Sequence, residues 1–113
     1  MSKHSPDSYR QGDVYIEPIA DIPTSAAPVK PEDGRAILAR GEATGHHHSF
    51  AMSERVSLFR EDGTGGGLFM LAASDAPANL EHQEHHTIPV APGRYRVIQQ
   101  VTYTPAAIRR VED

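Results

Sequence analysis

The sequence predicts an all-β domain, a small antiparallel barrel or sandwich behind a disordered N-terminal arm. Three observations predict it. Strand-like runs recur at intervals of roughly 8–12 residues, with no sustained helical period between them. Nine glycines and nine prolines fall largely between those runs and supply their turns. The length of 113 residues, with 38% hydrophobic content and no tryptophan, suffices for one core and not for two. We therefore expect residues 1–9 as the arm and 10–113 as a single domain.

Each element follows in order. Residues 1–9 hold serine, aspartate, lysine and proline with one aromatic, Tyr9, and such a composition buries too little apolar surface to offset its ordering entropy. After a turn at Gln11-Gly12-Asp13, the run Val14-Tyr15-Ile16-Glu17-Pro18-Ile19 alternates as a strand, with Val14, Ile16 and Pro18 on one face. Residues 21–34 carry Pro23, Pro28 and Pro31, which oppose both a helix interior and a central strand, so a surface loop is expected. Residues 35–41 read as a second strand, and 42–52 continue extended through His46-His47-His48. Another strand spans 55–60, with Val56 and Leu58 opposite Ser57 and Phe59.

The aspartate and glycines of 61–67 predict a hairpin loop. A phosphate loop is the sharper alternative, but no Lys-Ser or Lys-Thr follows the glycines. Residues 68–73 return as a strand, 74–78 turn, and 79–86 run extended into Thr87-Ile88-Pro89-Val90. Ala91-Pro92-Gly93 suits a type II turn. Residues 94–103 make the longest strand, with Tyr95, Val97, Gln99 and Val101 on one side. The tail, 106–113, is expected to form a turn of helix with Ile108 and Val111 facing inward.

Composition narrows the chemistry. A formal charge of −4 and a pI near 5.9 oppose a phosphate-backbone binder, so nucleic acid is not an expected partner. No apolar run reaches the ~20 residues that cross a bilayer, and the first ten residues show no signal-type segment, so the expected location is the cytoplasm with no membrane partner. Edge strands of a small β domain need covering, which makes a homo-oligomer an expectation. Cysteine is absent, so any metal site must use nitrogen and oxygen donors.

Histidine supplies the nitrogen. Of seven histidines, six fall in two short windows, 46–48 and 82–86, while His4 lies in the arm. In an extended segment His46 and His48 share a face and His47 points away. In the second window a regular strand presents His82, Glu84 and His86 together, or Glu81 and His85, whereas a bulge or strand end aims His82 and His85 together. Imidazoles from both windows suit a divalent transition metal, zinc, iron, nickel or copper. Glu84 is a candidate general base, or a carboxylate that orients an imidazole, a role open also to Asp13 and Glu42. The competing view is a solvated or structural histidine patch.

Two resemblances sharpen this. Gly41, His46, His48 and the later Ile88-Pro89-Val90-Ala91-Pro92-Gly93 resemble pieces of the cupin pattern, in which a His-x-His pair, a glutamate and a later histidine hold a metal in a β-barrel. The chain departs from it: the interval from Gly41 to His46 is one residue short, Glu54 lies farther from His48 than the cupin glutamate, and no histidine follows Pro92-Gly93. The chain also resembles a group of small bacterial proteins of uncharacterised function. These share the motifs found here at 10–14 (Arg-Gln-Gly-Asp-Val), 41–48 (Gly-Glu-x-Thr-Gly-His-x-His), 82–85 (His-x-Glu-His), 92–95 and 103–105. That resemblance implies His46, His48, His82 and His85 as metal ligands, with Glu84, in preference to His47 and His86. The expected function is a cupin-like metal-dependent enzyme acting on a small molecule. The alternative is a non-catalytic accessory or ligand-binding β module in which the metal or histidine cluster is structural.

Overall fold

The computed structural model describes residues 8–40, 45–61, 67–103 and 108–110. Among them run twelve strands: β1 Tyr9–Gln11, β2 Val14–Pro18, β3 Ala27–Val29, β4 Arg35–Arg40, β5 His47–Ala51, β6 Val56–Arg60, β7 Leu68–Ala72, β8 Ala78–Leu80, β9 Ile88–Val90, β10 Gly93–Gln99, β11 Val101–Tyr103 and β12 Ile108–Arg110. A single 3-10 turn, Met52–Glu54, stands between β5 and β6. The all-β expectation holds, and it holds for the expected reason: short β-branched and aromatic runs separated by turn residues.

Six strands form one antiparallel sheet in the order β1-β2-β10-β7-β6-β3. The described strands leave this sheet open, with β1 and β3 as edges, and do not close into a barrel. Three hairpins complete the fold, β4–β5, β8–β9 and β11–β12. A bridge between Ser49 and Glu81 ties β5 to the residue after β8, through amide hydrogen bonds of 3.0 and 2.9 Å.

One apolar core joins the sheet to the first two hairpins. Val14 and Ile16 from β2, Leu58 from β6, Met70 from β7 and Tyr95 and Val97 from β10 pack with Ala36 and Leu38 of β4, Phe50 of β5, Leu80 of β8 and Val90 of β9. The period of two explains who is inside: in β10, Tyr95 and Val97 are buried while Arg94 and Arg96 are exposed. Each fully buried side chain of this kind contributes about 1.5–3 kcal/mol.

Several expectations are corrected. Tyr9, assigned to the arm, opens β1, because its ring meets Tyr95 edge-on and its hydroxyl accepts the Ala91 amide at 3.1 Å. The rest of the arm, 1–7, lies outside the described residues. Within the expected loop 21–34, residues 27–29 pair with β6, and Pro28 is tolerated because β3 is an edge. The 94–103 strand is interrupted at Gln100, whose amide donates to the Asp13 carbonyl at 2.9 Å. The tail is not helical at 108–110, where the backbone pairs with β11 from Val101↔Arg110 to Tyr103↔Ile108 and so satisfies strand hydrogen bonds that a lone helical turn would leave unmet. Val111 and the expected hairpin residues 62–66 fall outside the described residues, but the Glu61 amide closes that loop onto the Gly67 carbonyl at 2.9 Å.

Candidate metal centre

His48 lies on β5 with its side chain turned to the core and is fully buried. Opposite it β4 is irregular: Ile37 pairs Ser49 while Ala39 pairs His48, so Leu38 is an extra residue that bends the hairpin at the site. The imidazole is held by Gln11 from β1. Gln11 Nε2 donates to the carbonyls of Leu80 at 3.0 Å and His86 at 2.9 Å, which turns its Oε1 toward His48 Nδ1, 2.8 Å away. An amide oxygen only accepts, so His48 carries a proton on Nδ1 and directs Nε2 inward.

The second window is not a strand. Residues 81–87 link β8 to β9 as a turn, which excludes the regular arrangement of His82, Glu84 and His86 on one face. A turn instead gathers His82 and His85, whose ring centroids are 4.6 Å apart. His82 also lies 4.3 Å from His48 and 5.6 Å from His46, and His85 stacks 5.9 Å from His48. The four imidazoles singled out from sequence thus converge, although 34 residues separate His48 from His82 along the chain.

Two further groups complete the surroundings. Asp13, 1% exposed, places Oδ1 3.3 Å from His48 Nε2 and accepts from Gln99 Nε2 at 2.9 Å through Oδ2. Gly12 sits against the rings: with φ at 57°, a Cβ there would lie 2.8 Å from His85 Nε2 and 3.2 Å from His48 Cε1. Two buried polar atoms among the described residues find no hydrogen-bond partner, Asp13 Oδ1 and His85 Nε2. Both belong to this cluster.

Glu84 is more peripheral. Its side chain is 59% exposed, with Oε2 3.8 Å from His46 Nε2. Its amide donates to His82 Nδ1 at 3.0 Å, so a neutral His82 keeps its proton on Nε2 and offers that nitrogen to a cation only after this hydrogen bond breaks and the proton moves to Nδ1. Consistent with this, among the described residues no three imidazole or carboxylate groups stand ready-placed around a metal ion.

His47 faces the other side, as alternation requires. It lines a cleft of about 380 Å³ with Arg35, Ser49, Glu81, His82, Gln83 and Thr87. Its Nδ1 lies 2.8 Å from Ser49 Oγ, which also accepts from Arg35 Nε at 2.7 Å, while Arg35 pairs with Glu81. Burial, with Arg35 and Arg40 nearby, holds the His47 imidazole below its ordinary pKa. His86 is exposed and enters only through its carbonyl. Glu42 lies outside the described residues, and Glu54 is engaged elsewhere, accepting the Asn79 amide at 3.2 Å.

Residues 10–100 match a family described as a domain of unknown function, DUF8820. The chain belongs to the DUF8820 family. No curated protein and no solved structure matches it. Four of the five motif blocks, from 10–14 to 92–95, fall within the DUF8820 match, and the block at 103–105 lies beyond it. No helix among the described residues of this DUF8820 domain is long and apolar enough to cross a membrane. Sequence reasoning treated Gln11-Gly12-Asp13 as a turn and Asp13 as one supporting carboxylate among several. It missed Gln11 and Gln99. The available signal was two hydrogen-bonding side chains flanking a glycine at the mouth of an otherwise apolar strand.

Proposed function

We propose that this domain binds a divalent transition metal, zinc, iron, nickel or copper, through His46, His48, His82 and His85, and acts as a cupin-like metal-dependent enzyme on a small molecule in the cytoplasm. The observation that carries the reading is the convergence of four imidazoles from two distant segments, with His85 Nε2 buried and without a hydrogen-bond partner. A buried polar atom left unmet is costly unless something outside the protein's own donors and acceptors satisfies it. Gln11 supports the same reading, since a partner on Nδ1 that orients the ring is the usual companion of a metal-bound histidine.

A divalent ion bound there supplies Lewis acidity. The residues do the rest. Gln11 holds His48 in one tautomer and one orientation. Glu84, exposed and 3.8 Å from His46, is the proposed proton carrier for a bound molecule. The cleft lined by Arg35, Gln83 and Thr87 reaches one of the proposed ligands, His82, and offers a polar seat for a small molecule beside it. A second reading, a structural centre without catalysis, is favoured by the complete burial of His48.

The test is metal content by mass spectrometry on untagged protein purified without a nickel column, beside the His46→Ala, His48→Ala double variant. Near-stoichiometric metal that is lost in the variant is the expected result. Absence of metal in both, with melting unchanged by chelator, would sink the proposal. A coordination shell closed to water in the loaded wild type would favour the structural reading.

A further inference from the structure

We infer that Asp13 is a direct ligand of the centre, so that the donor set is a mixed one in which a buried carboxylate oxygen joins the imidazoles of His48 and His85. This rests on the metal-binding reading above and goes beyond it, since neither the histidine motifs nor the resemblances assign Asp13 to the metal.

Local structure first brings the carboxylate to the rings. The Gln11-Gly12-Asp13 turn reverses the chain between β1 and β2, and Gly12, lacking a side chain, lets the turn press against His85 Nε2 and His48 Cε1. Asp13 enters the core beside them, 1% exposed. Its Oδ2 is tied to Gln99, while Oδ1 has no hydrogen bond and points at His48 Nε2 from 3.3 Å.

With the His48 ring neutral, those two atoms repel unless a cation lies between them, whereas a protonated ring pairs with the carboxylate directly. Because Gln11 Oε1 fixes the imidazole proton on Nδ1, the nitrogen that faces Asp13 in the neutral ring carries a lone pair. A lone pair opposed to a carboxylate oxygen at this distance is repulsive, and a positive ion between them turns the repulsion into attraction. The spacing fits that role. Two donors each about 2.0–2.1 Å from one ion, at a tetrahedral angle, stand about 3.3–3.4 Å apart. His85 Nε2, the other unmet atom, lies over the same glycine, and with a shift of its ring it would complete a two-imidazole, one-carboxylate group. Such a set suits iron(II) or zinc, and excludes a preference for copper(I), which favours sulfur donors. Glu84, exposed and 3.8 Å from His46, is the weaker candidate for the carboxylate.

Cobalt(II) added to metal-free, full-length protein is the probe, read by its visible ligand-field spectrum and by competition with a chelating dye. Wild type is expected to bind one cobalt per chain. Asp13→Asn should weaken binding by about tenfold or more and alter the spectrum, a larger loss than Glu84→Gln produces. Wild-type binding with an unaltered affinity and spectrum in Asp13→Asn would overturn the inference and leave Asp13 as an ion-pair partner of His48, the histidine site itself standing. No binding by the wild type would overturn the metal reading and this inference together. A measurement that needs no variant guards against misfolding: with aspartate carboxyl carbons ¹³C-labelled, zinc should shift one aspartate resonance, and no shift in any of them would refute the assignment.

Discussion

Gln11→Ala probes the link between fold and site most directly. The side chain is 3% exposed and joins three elements, donating to the Leu80 and His86 carbonyls and accepting from His48. Alanine leaves one imidazole N–H and two carbonyls without their partner. A hydrogen bond contributes about 1 kcal/mol net, and an orphaned buried group costs about 1–3 kcal/mol. The Leu80 and His48 partners are buried and take the larger figure, whereas water reaches the exposed His86. At about 1.5 kcal/mol for each of these two, and up to about 1 kcal/mol for His86, the sum is about 3–4 kcal/mol. For a domain of this size that corresponds to a fall in melting midpoint of roughly 12–25 °C. Urea denaturation of Gln11→Ala and Gln11→Leu, each beside wild type, is the assay. Leucine restores volume without hydrogen bonds, so it should recover little. A loss below about 1 kcal/mol in Gln11→Ala, or wild-type stability in Gln11→Leu, would show that the amide is not the latch between β1, His48 and the 81–87 turn.

Two further substitutions test neighbouring steps. Gly12→Ala combines a left-handed φ of 57° with a Cβ 2.8 Å from His85, whereas Gly34→Ala, at φ 73° with nothing within 4 Å, carries the backbone cost alone. Both should lose about 1–2 kcal/mol of stability from the backbone, but only Gly12→Ala should also displace His85 and reduce metal content; equal effects of the two on metal would refute the close-approach argument. Tyr95→Phe removes a hydroxyl that donates to the Ala91 carbonyl at 2.6 Å while keeping a fully buried ring, and thermal melts should show a loss of about 1–2 kcal/mol, with no change in metal content.

Much of this protein was legible in the chain because the relevant physics is local. Alternation of apolar and polar residues marks β2, β6 and β10, and glycine and proline mark most of the reversals. The crowding of histidines into two windows marks the imidazole cluster. Other features depend on partners that no local pattern announces. Pro28 reads as a loop until its strand is known to be an edge, and 108–110 reads as helix until β11 lies beside it. The 81–87 segment reads as extended until Ala78, Asn79 and Leu80 are seen to pair back on Val90, Pro89 and Ile88, which makes the histidines part of a turn. By itself, then, the sequence determined an all-β chain with an imidazole-rich pair of segments and no thiolate. Only the tertiary structure decided that Asp13 and Gln11, ordinary turn residues to a reader of the chain, lie buried against His48. The reason is that hydrophobic periodicity tells which face of a strand goes inward, while the partner of a buried polar group is chosen by whichever distant element the core packs against it.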